Sequence, residues 1–174
     1  MSDTQTTHTN PQTLPSGMAR VSQALAQLGH PHAPLVLDDA ARTAQQAADA
    51  LGVALGQIAK SIIFRRKPDD AAVLVITSGD LRVDEKKVQA LVCADGAKLG
   101  RADAEFVKQK TGFAIGGVSP LAHATEPVTL IDAQLFRFAE IWAAAGHPHG
   151  VFRLSPQDLS NFTGAPVADV TVSP

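Results

Sequence analysis

The sequence predicts a single mixed, mainly antiparallel α+β domain. Three observations carry this. Candidate strands arrive in pairs with amphipathic helical stretches between them. Ala72-Val73-Leu74-Val75-Ile76-Thr77 is a nearly continuous apolar run bounded by turn residues, the pattern of a central strand. A length of 174 residues, 45% of them hydrophobic and 18% charged, suits one folded domain with a sizeable core.

Residues 1–15, rich in Thr, Gln, Asn and Pro, have little to bury and are expected to form a disordered tail, leaving 16–174 as the domain. Ser16 is expected to cap a helix whose apolar face is Met18, Val21, Leu25 and Leu28, ended by Gly29. Leu35-Val36-Leu37 reads as a short strand, and Asp38-Asp39 or Thr43 opens an alanine-rich helix that stops at Gly52. Residues 58–64 form a strand with Arg65-Arg66-Lys67 at its exposed end, and Pro68-Asp69-Asp70 turns it into its hairpin partner, residues 72–77. Asp84 caps a helix carrying Val88, Leu91 and Val92, and Asp103 caps another that ends at Gly112. Further strands are expected at 128–132, 138–145 and 151–154, then a short helix opened by Ser155-Pro156, and an edge strand over 168–172.

Thr111-Gly112-Phe113-Ala114-Ile115-Gly116-Gly117-Val118-Ser119-Pro120 is the stretch the candidate site is organised around. The glycine pair allows positive φ and close approach by another molecule, and Pro120 fixes the exit direction. Such a loop offers backbone N–H and C=O groups to a small ligand; a tight helix-to-strand connection is the plain structural alternative. Lys60 is the odd residue of its strand. Alternation puts it on one face with Ile62 and Phe64, and Ser61 on the other. It either snorkels to water or places a cation in a pocket to meet a phosphate or ligand oxygen. Asp132 ends an apolar strand. It either caps the segment that follows, or orients Lys60 or a ligand ammonium.

Several classes lack their residues. There is no Gly-x-Ser-x-Gly, no Gly-x-x-x-x-Gly-Lys-Ser and no Gly-x-Gly-x-x-Gly. The two His-Pro-His runs, at His30 and His147, have no acidic or cysteine partner at metal-site spacing, so neither a metal nor a cofactor is expected. Net charge is −2, so any RNA contact must be local and small, and DNA is not an expected partner. No apolar run reaches the ~20 residues that span a bilayer, and no secretory signature is present. With Cys93 as the one cysteine, a cytoplasmic location is expected. Cys93 itself reads as a small buried apolar residue.

Ala59-Lys60-Ser61-Ile62-Ile63-Phe64, the stretch Thr111 to Pro120, Ile131-Asp132, and Leu154-Ser155-Pro156-Gln157-Asp158-Leu159 with Thr163-Gly164-Ala165 occur in this order. Together they resemble the YbaK / prolyl-tRNA synthetase-associated deacylase family over roughly residues 16–170. The resemblance implies a curved, mostly antiparallel mixed sheet flanked by helices. It also implies hydrolysis, by a freestanding editing factor, of the ester joining a wrong amino acid to tRNA, most often tRNA(Pro). It marks Lys60, Gly116 and Gly117 as catalytic, and Ser61, Ser119, Pro120 and Asp132 as substrate-binding. Implied partners are the aminoacyl-tRNA acceptor end and a prolyl-tRNA synthetase, with the protein a monomer or weak homodimer. The segment around His147 lies where family members vary, so no role is carried to it.

The chemistry agrees with such a task. A missing methylene is worth only ~1–3 kcal/mol, so a prolyl pocket cannot exclude smaller amino acids such as Ala or Cys. An activated ester needs a positioned water, oxyanion stabilisation and a grip on the terminal adenosine rather than a covalent nucleophile. The loop's amides can serve as donors, or its carbonyls can hold the substrate ammonium; both remain open. Lys60, with an unperturbed pKa of ~10.4, reads as a cation rather than a general base. Two other readings compete: a non-catalytic module docking on tRNA or synthetase, and a small-molecule hydrolase using the same pocket. Retention of both Lys60 and the glycine loop argues against the first. Absence of a nucleophile or metal set argues against the second.

Overall fold

The computed structural model describes residues 14–38 and 41–173. Among the described residues five helices and eight strands follow one another: α1 (Ser16–Gln27), β1 (Leu35–Val36), α2 (Ala44–Leu51), β2 (Ile58–Lys67), β3 (Ala71–Ser78), α3 (Glu85–Val92), β4 (Lys98–Arg101), α4 (Ala104–Thr111), β5 (Val128–Asp132), β6 (Ile141–Ala144), β7 (Gly150–Leu154), α5 (Pro156–Thr163) and β8 (Val167–Ala168). All eight strands join one mixed sheet in the order β1-β7-β6-β2-β3-β5-β8, with β4 also on β2. The β1–β7, β2–β3, β2–β4 and β6–β7 pairs are antiparallel, and β2–β6, β3–β5 and β5–β8 are parallel. The mixed α+β architecture expected from the sequence is the one observed.

Local chemistry starts and stops the helices. Thr43 and Gln46 form a reciprocal capping box at α2, which ends at Gly52 in the left-handed region. Asp84 and Asp103 accept from the first-turn amides of α3 and α4. Ser155 caps α5 with a proline in its first turn. Some boundaries differ from expectation. Pro15, not Ser16, occupies the cap position of α1, because its extended backbone precedes a helical Ser16. The strand expected over 138–145 is confined to β6, since the segment ahead of it is a 3-10 turn (Ala133–Arg137) leading into Phe138. The final edge strand is β8, and Thr171 adds only a bridge to Val83. The disordered-tail expectation lies, through residue 13, outside the described residues.

Strand alternation sorts the core onto two faces. On one, α1, α4 and α5 bury Val21, Leu25, Val107 and Leu159 against Ala59, Leu74, Ile76, Ile131 and Phe152. On the other, Val88 of α3 and Val170 cover Phe64, Val73, Val75 and Leu130. Ala48 of α2 packs there with Ile58 and Trp142. Helices α2 and α3 therefore cover the two ends of β2 on this second face and leave the strip bearing Lys60 between them.

Candidate active site

Strand β2 is paired with β3 from Ala59 to Arg66. On its other edge it meets β6 only at Ile58 and Ala59, and β4 only from Phe64 onward. The sheet is thus interrupted beside residues 60–63, and the candidate site lies at this interruption.

A cavity of about 260 Å³ opens there, with Lys60, Ser61 and Gly116 in its wall. Much of the remaining lining is small, with Ala41, Ala44 and Ala47 around the start of α2, Ala143, Ala144 and Gly150, alongside larger apolar residues such as Ile58, Ile62 and Trp142 and a second cationic residue, Arg42. Thr43 also lines it, but its hydroxyl is held by the amide of Gln46. Among the described residues, no histidine or carboxylate side chain is in the wall.

Alternation places Lys60 with Ile62 and Phe64 and turns Ser61 to the opposite face, as the spacing predicts. The half-buried Lys60 Nζ donates to the Leu81 carbonyl at 3.2 Å. Burial holds its ammonium below the ordinary lysine value, and the Asp80 carboxylate partly offsets this. Asp80 is itself gripped by Arg137 at 2.8 Å, which keeps its carboxyl below the usual range and leaves it a poor acceptor for Lys60. Ser61 Oγ and Trp142 Nε1 are buried without a hydrogen-bond partner among the described residues, and both residues line the cavity.

The glycine loop leaves α4 through Gly112, in the left-handed region at φ 80°. Phe113 and Val118 anchor it in the core, while Ile115 is exposed at its tip. Gly116 adopts φ 86° and borders the cavity. Gly117 packs so closely on the β6–β7 turn that an added Cβ would lie 2.6 Å from the His147 carbonyl carbon. His147 Nδ1 accepts from the His149 amide at 3.1 Å, and its backbone supports the loop from behind.

The other residues carried from the sequence lie elsewhere. Ser119 is fully buried; its Oγ accepts from the Leu121 amide and its carbonyl from His123 Nε2 at 2.6 Å. Pro120 lines a separate cavity beside His123. Asp132 is fully buried on the Lys60 face, but its carboxylate accepts from Thr77 Oγ1 at 3.1 Å, Ser78 N at 3.0 Å and Gln134 N at 2.9 Å. It caps the following 3-10 turn, the structural alternative of the sequence reading. Asp132→Ala is therefore expected to destabilise the fold by on the order of 3 kcal/mol, since the buried Ser78 amide and the buried Thr77 hydroxyl lose their acceptor. Urea denaturation checks this; unchanged stability with lost activity would instead place Asp132 on the ligand. Cys93 is half-buried at the end of α3, away from the cavity.

The sequence reading missed the wall formed by the start of α2, Trp142 and Pro148. The one signal was that Trp142 is the sole tryptophan of the chain.

Comparisons with known proteins identify the domain. The model of the aminoacyl-tRNA editing domain matches residues 38–162, which include Lys60 and the glycine loop. YwhH of Bacillus subtilis, an uncharacterised protein, is 36% identical over 121 residues, 70% of this chain and 74% of its own. The proline–tRNA ligase of Leuconostoc mesenteroides is 31% identical over 104 residues, 60% of this chain but only 18% of the ligase. The crystal structure of a candidate trans-editing enzyme for prolyl tRNA synthetase superposes with a TM-score of 0.85 at 39% identity, covering 92% of this chain and all of that one. With the family's domain spanning most of the chain and its fold reproduced throughout, this protein belongs to the aminoacyl-tRNA editing domain family.

Proposed function

We propose that the protein is a trans-acting aminoacyl-tRNA deacylase that hydrolyses the ester of tRNA(Pro) mischarged with a small amino acid such as Ala or Cys. One observation carries this: Lys60 and the Gly116 loop meet at a single small-walled cavity where the sheet is interrupted. In the reaction a water oxygen bonds to the ester carbonyl carbon and the bond to the ribose oxygen breaks. The amino acid leaves with a carboxylate, the ribose oxygen takes up one proton of the water, and the other passes to solvent.

The chain's own part is positioning and charge. Among the described residues Ser61 has no base beside it, and none of those lining the cavity is a histidine or carboxylate, so direct water attack fits better than an acyl-enzyme. Lys60 offers a cation to a phosphate or to the developing oxyanion, with backbone groups of the Gly116 loop beside it. The adenosine 2′-hydroxyl, next to the ester, is a candidate to orient the water. Alanine and glycine walls suit a short side chain. The similarity to part of a proline–tRNA ligase supports tRNA(Pro), and a prolyl-tRNA synthetase, as partners.

The test is deacylation of tRNAs charged with Ala, Cys, Ser, Thr and Pro. Rapid loss of Ala or Cys from tRNA(Pro), with Pro spared, is the expected result. Tight tRNA binding without turnover on any member would replace this reading with a non-catalytic binding module.

A further inference from the structure

We propose that a second cavity, on the far side of Lys60, is a nucleotide subsite for a residue of the tRNA 3′ end preceding the aminoacylated adenosine. This rests on the deacylase reading above. The cavity has a volume of about 410 Å³, and its wall includes Lys60, Ile62, Phe64, Leu81, Arg82 and Glu85. Lys60 thus borders both cavities, and a strand whose last residue enters the first passes its ammonium on the way.

The second cavity has the two surfaces a nucleotide needs. Ile62, half-buried on the Lys60 face of β2, offers an apolar surface to a base, with the buried Phe64 next to it on the same face. Lys60 and Arg82 supply the cations for a phosphate. Arg82 is exposed, and its guanidinium has no ion-pair or hydrogen-bond partner among the described residues. Its backbone is nonetheless fixed: the Arg82 carbonyl accepts from Val172 N at 2.9 Å, and Val83 bridges to Thr171. Among the described residues Glu85 is the one carboxylate in the wall, and nearby Asp80 is occupied by Arg137. Thr77 also lines the cavity, with its hydroxyl already donated to Asp132.

The test uses the full chain as wild type, Arg82→Glu, Glu85→Gln and, as a charge control on the opposite face of the sheet, Lys108→Glu. Binding of a labelled tRNA acceptor hairpin ending in CCA is followed by anisotropy at several salt concentrations. The KM for charged tRNA is compared with that for aminoacyl-adenosine, which lacks the preceding nucleotide. Arg82→Glu is expected to weaken hairpin binding roughly tenfold at low salt and to flatten the salt dependence by about one phosphate contact. Its KM rises for charged tRNA but not for aminoacyl-adenosine. Glu85→Gln tightens binding roughly twofold by removing a like charge from the phosphate path, and Lys108→Glu binds as wild type. Unaltered hairpin binding by Arg82→Glu overturns the subsite, as does an equal loss on aminoacyl-adenosine, which would assign the cavity to the terminal residue. A wild type that binds the hairpin through Arg82 but hydrolyses no charged tRNA sinks the deacylase reading and leaves the subsite standing.

Discussion

Lys60→Ala is expected to slow single-turnover deacylation by roughly 10²–10³-fold, the loss typical of removing one preorganised donor from a developing charge. The fold should not suffer. Lys60 makes one hydrogen bond, to the Leu81 carbonyl, and burial already penalises its charge. Truncation removes a partly desolvated ammonium from among Ile58, Ile62 and Phe64, so stability stays level or rises slightly. The two readouts therefore separate: activity collapses and the urea midpoint does not fall. A variant retaining turnover within threefold of wild type would show that the ammonium is not part of the chemistry.

The same lysine predicts a pH signature. Its folded pKa lies below the ordinary value of 10.5, chiefly because of burial. If the cation is required, catalysed turnover falls as pH rises through the folded value, earlier than an exposed lysine would titrate. Between the folded and unfolded values the unfolded chain binds more protons, so stability rises with pH in that same window. Activity and stability thus move in opposite directions there. Uncatalysed ester hydrolysis, which hydroxide accelerates, must be subtracted, and Lys60→Ala supplies the baseline in which both trends disappear.

What the sequence made legible follows from how local each signal is. Period-2 alternation alone assigns Lys60 to the face of Ile62 and Phe64, and the structure agrees. Thr43, Asp84, Asp103 and Ser155 mark helix starts because a capping side chain acts within three residues of itself. Strand β4 was not legible: Lys98-Leu99-Gly100-Arg101 has one large apolar residue and becomes a strand only through pairing with the end of β2. The interruption of the sheet was hidden for a related reason. Nothing in the residues of β2 says that β6 departs after Ala59 and β4 arrives at Phe64, since those partners lie far along the chain. The walls contributed by α2, Trp142 and Pro148 are non-local in the same sense. Within the glycine loop, composition marked a tight turn but not its orientation, so it could not show that Gly116 borders the cavity while Ser119 and Pro120 face elsewhere.

Gly117→Ala is expected to damage both stability and activity, more severely than Gly116→Ala, although the sequence presents the two glycines as an equivalent pair. Gly116 needs its residue type for conformation: φ is 86°, and space around it is open. Alanine there carries a backbone penalty of roughly 1–2 kcal/mol. Gly117 needs its residue type for proximity. A Cβ would sit 2.6 Å from the His147 carbonyl carbon, 2.8 Å from Pro148 N and 2.9 Å from His147 Cα. All three are backbone atoms, so no side-chain rotation relieves the clash, and the loop and the β6–β7 turn must move apart. Overpacking of this kind costs about 1–3 kcal/mol. The displacement also reaches the site, because Gly116 and Val118 on one side and Pro148 and Gly150 on the other line the same cavity. A shift near 1 Å can cost about 10²-fold in rate, so turnover in the cold, where the variant remains folded, is the decisive measurement. Wild-type turnover with lowered stability would mean that the glycine loop frames the cavity without positioning the ester. Loss of both would tie the close contact between loop and turn to catalysis and make Gly117 a positioning residue that acts through its neighbours.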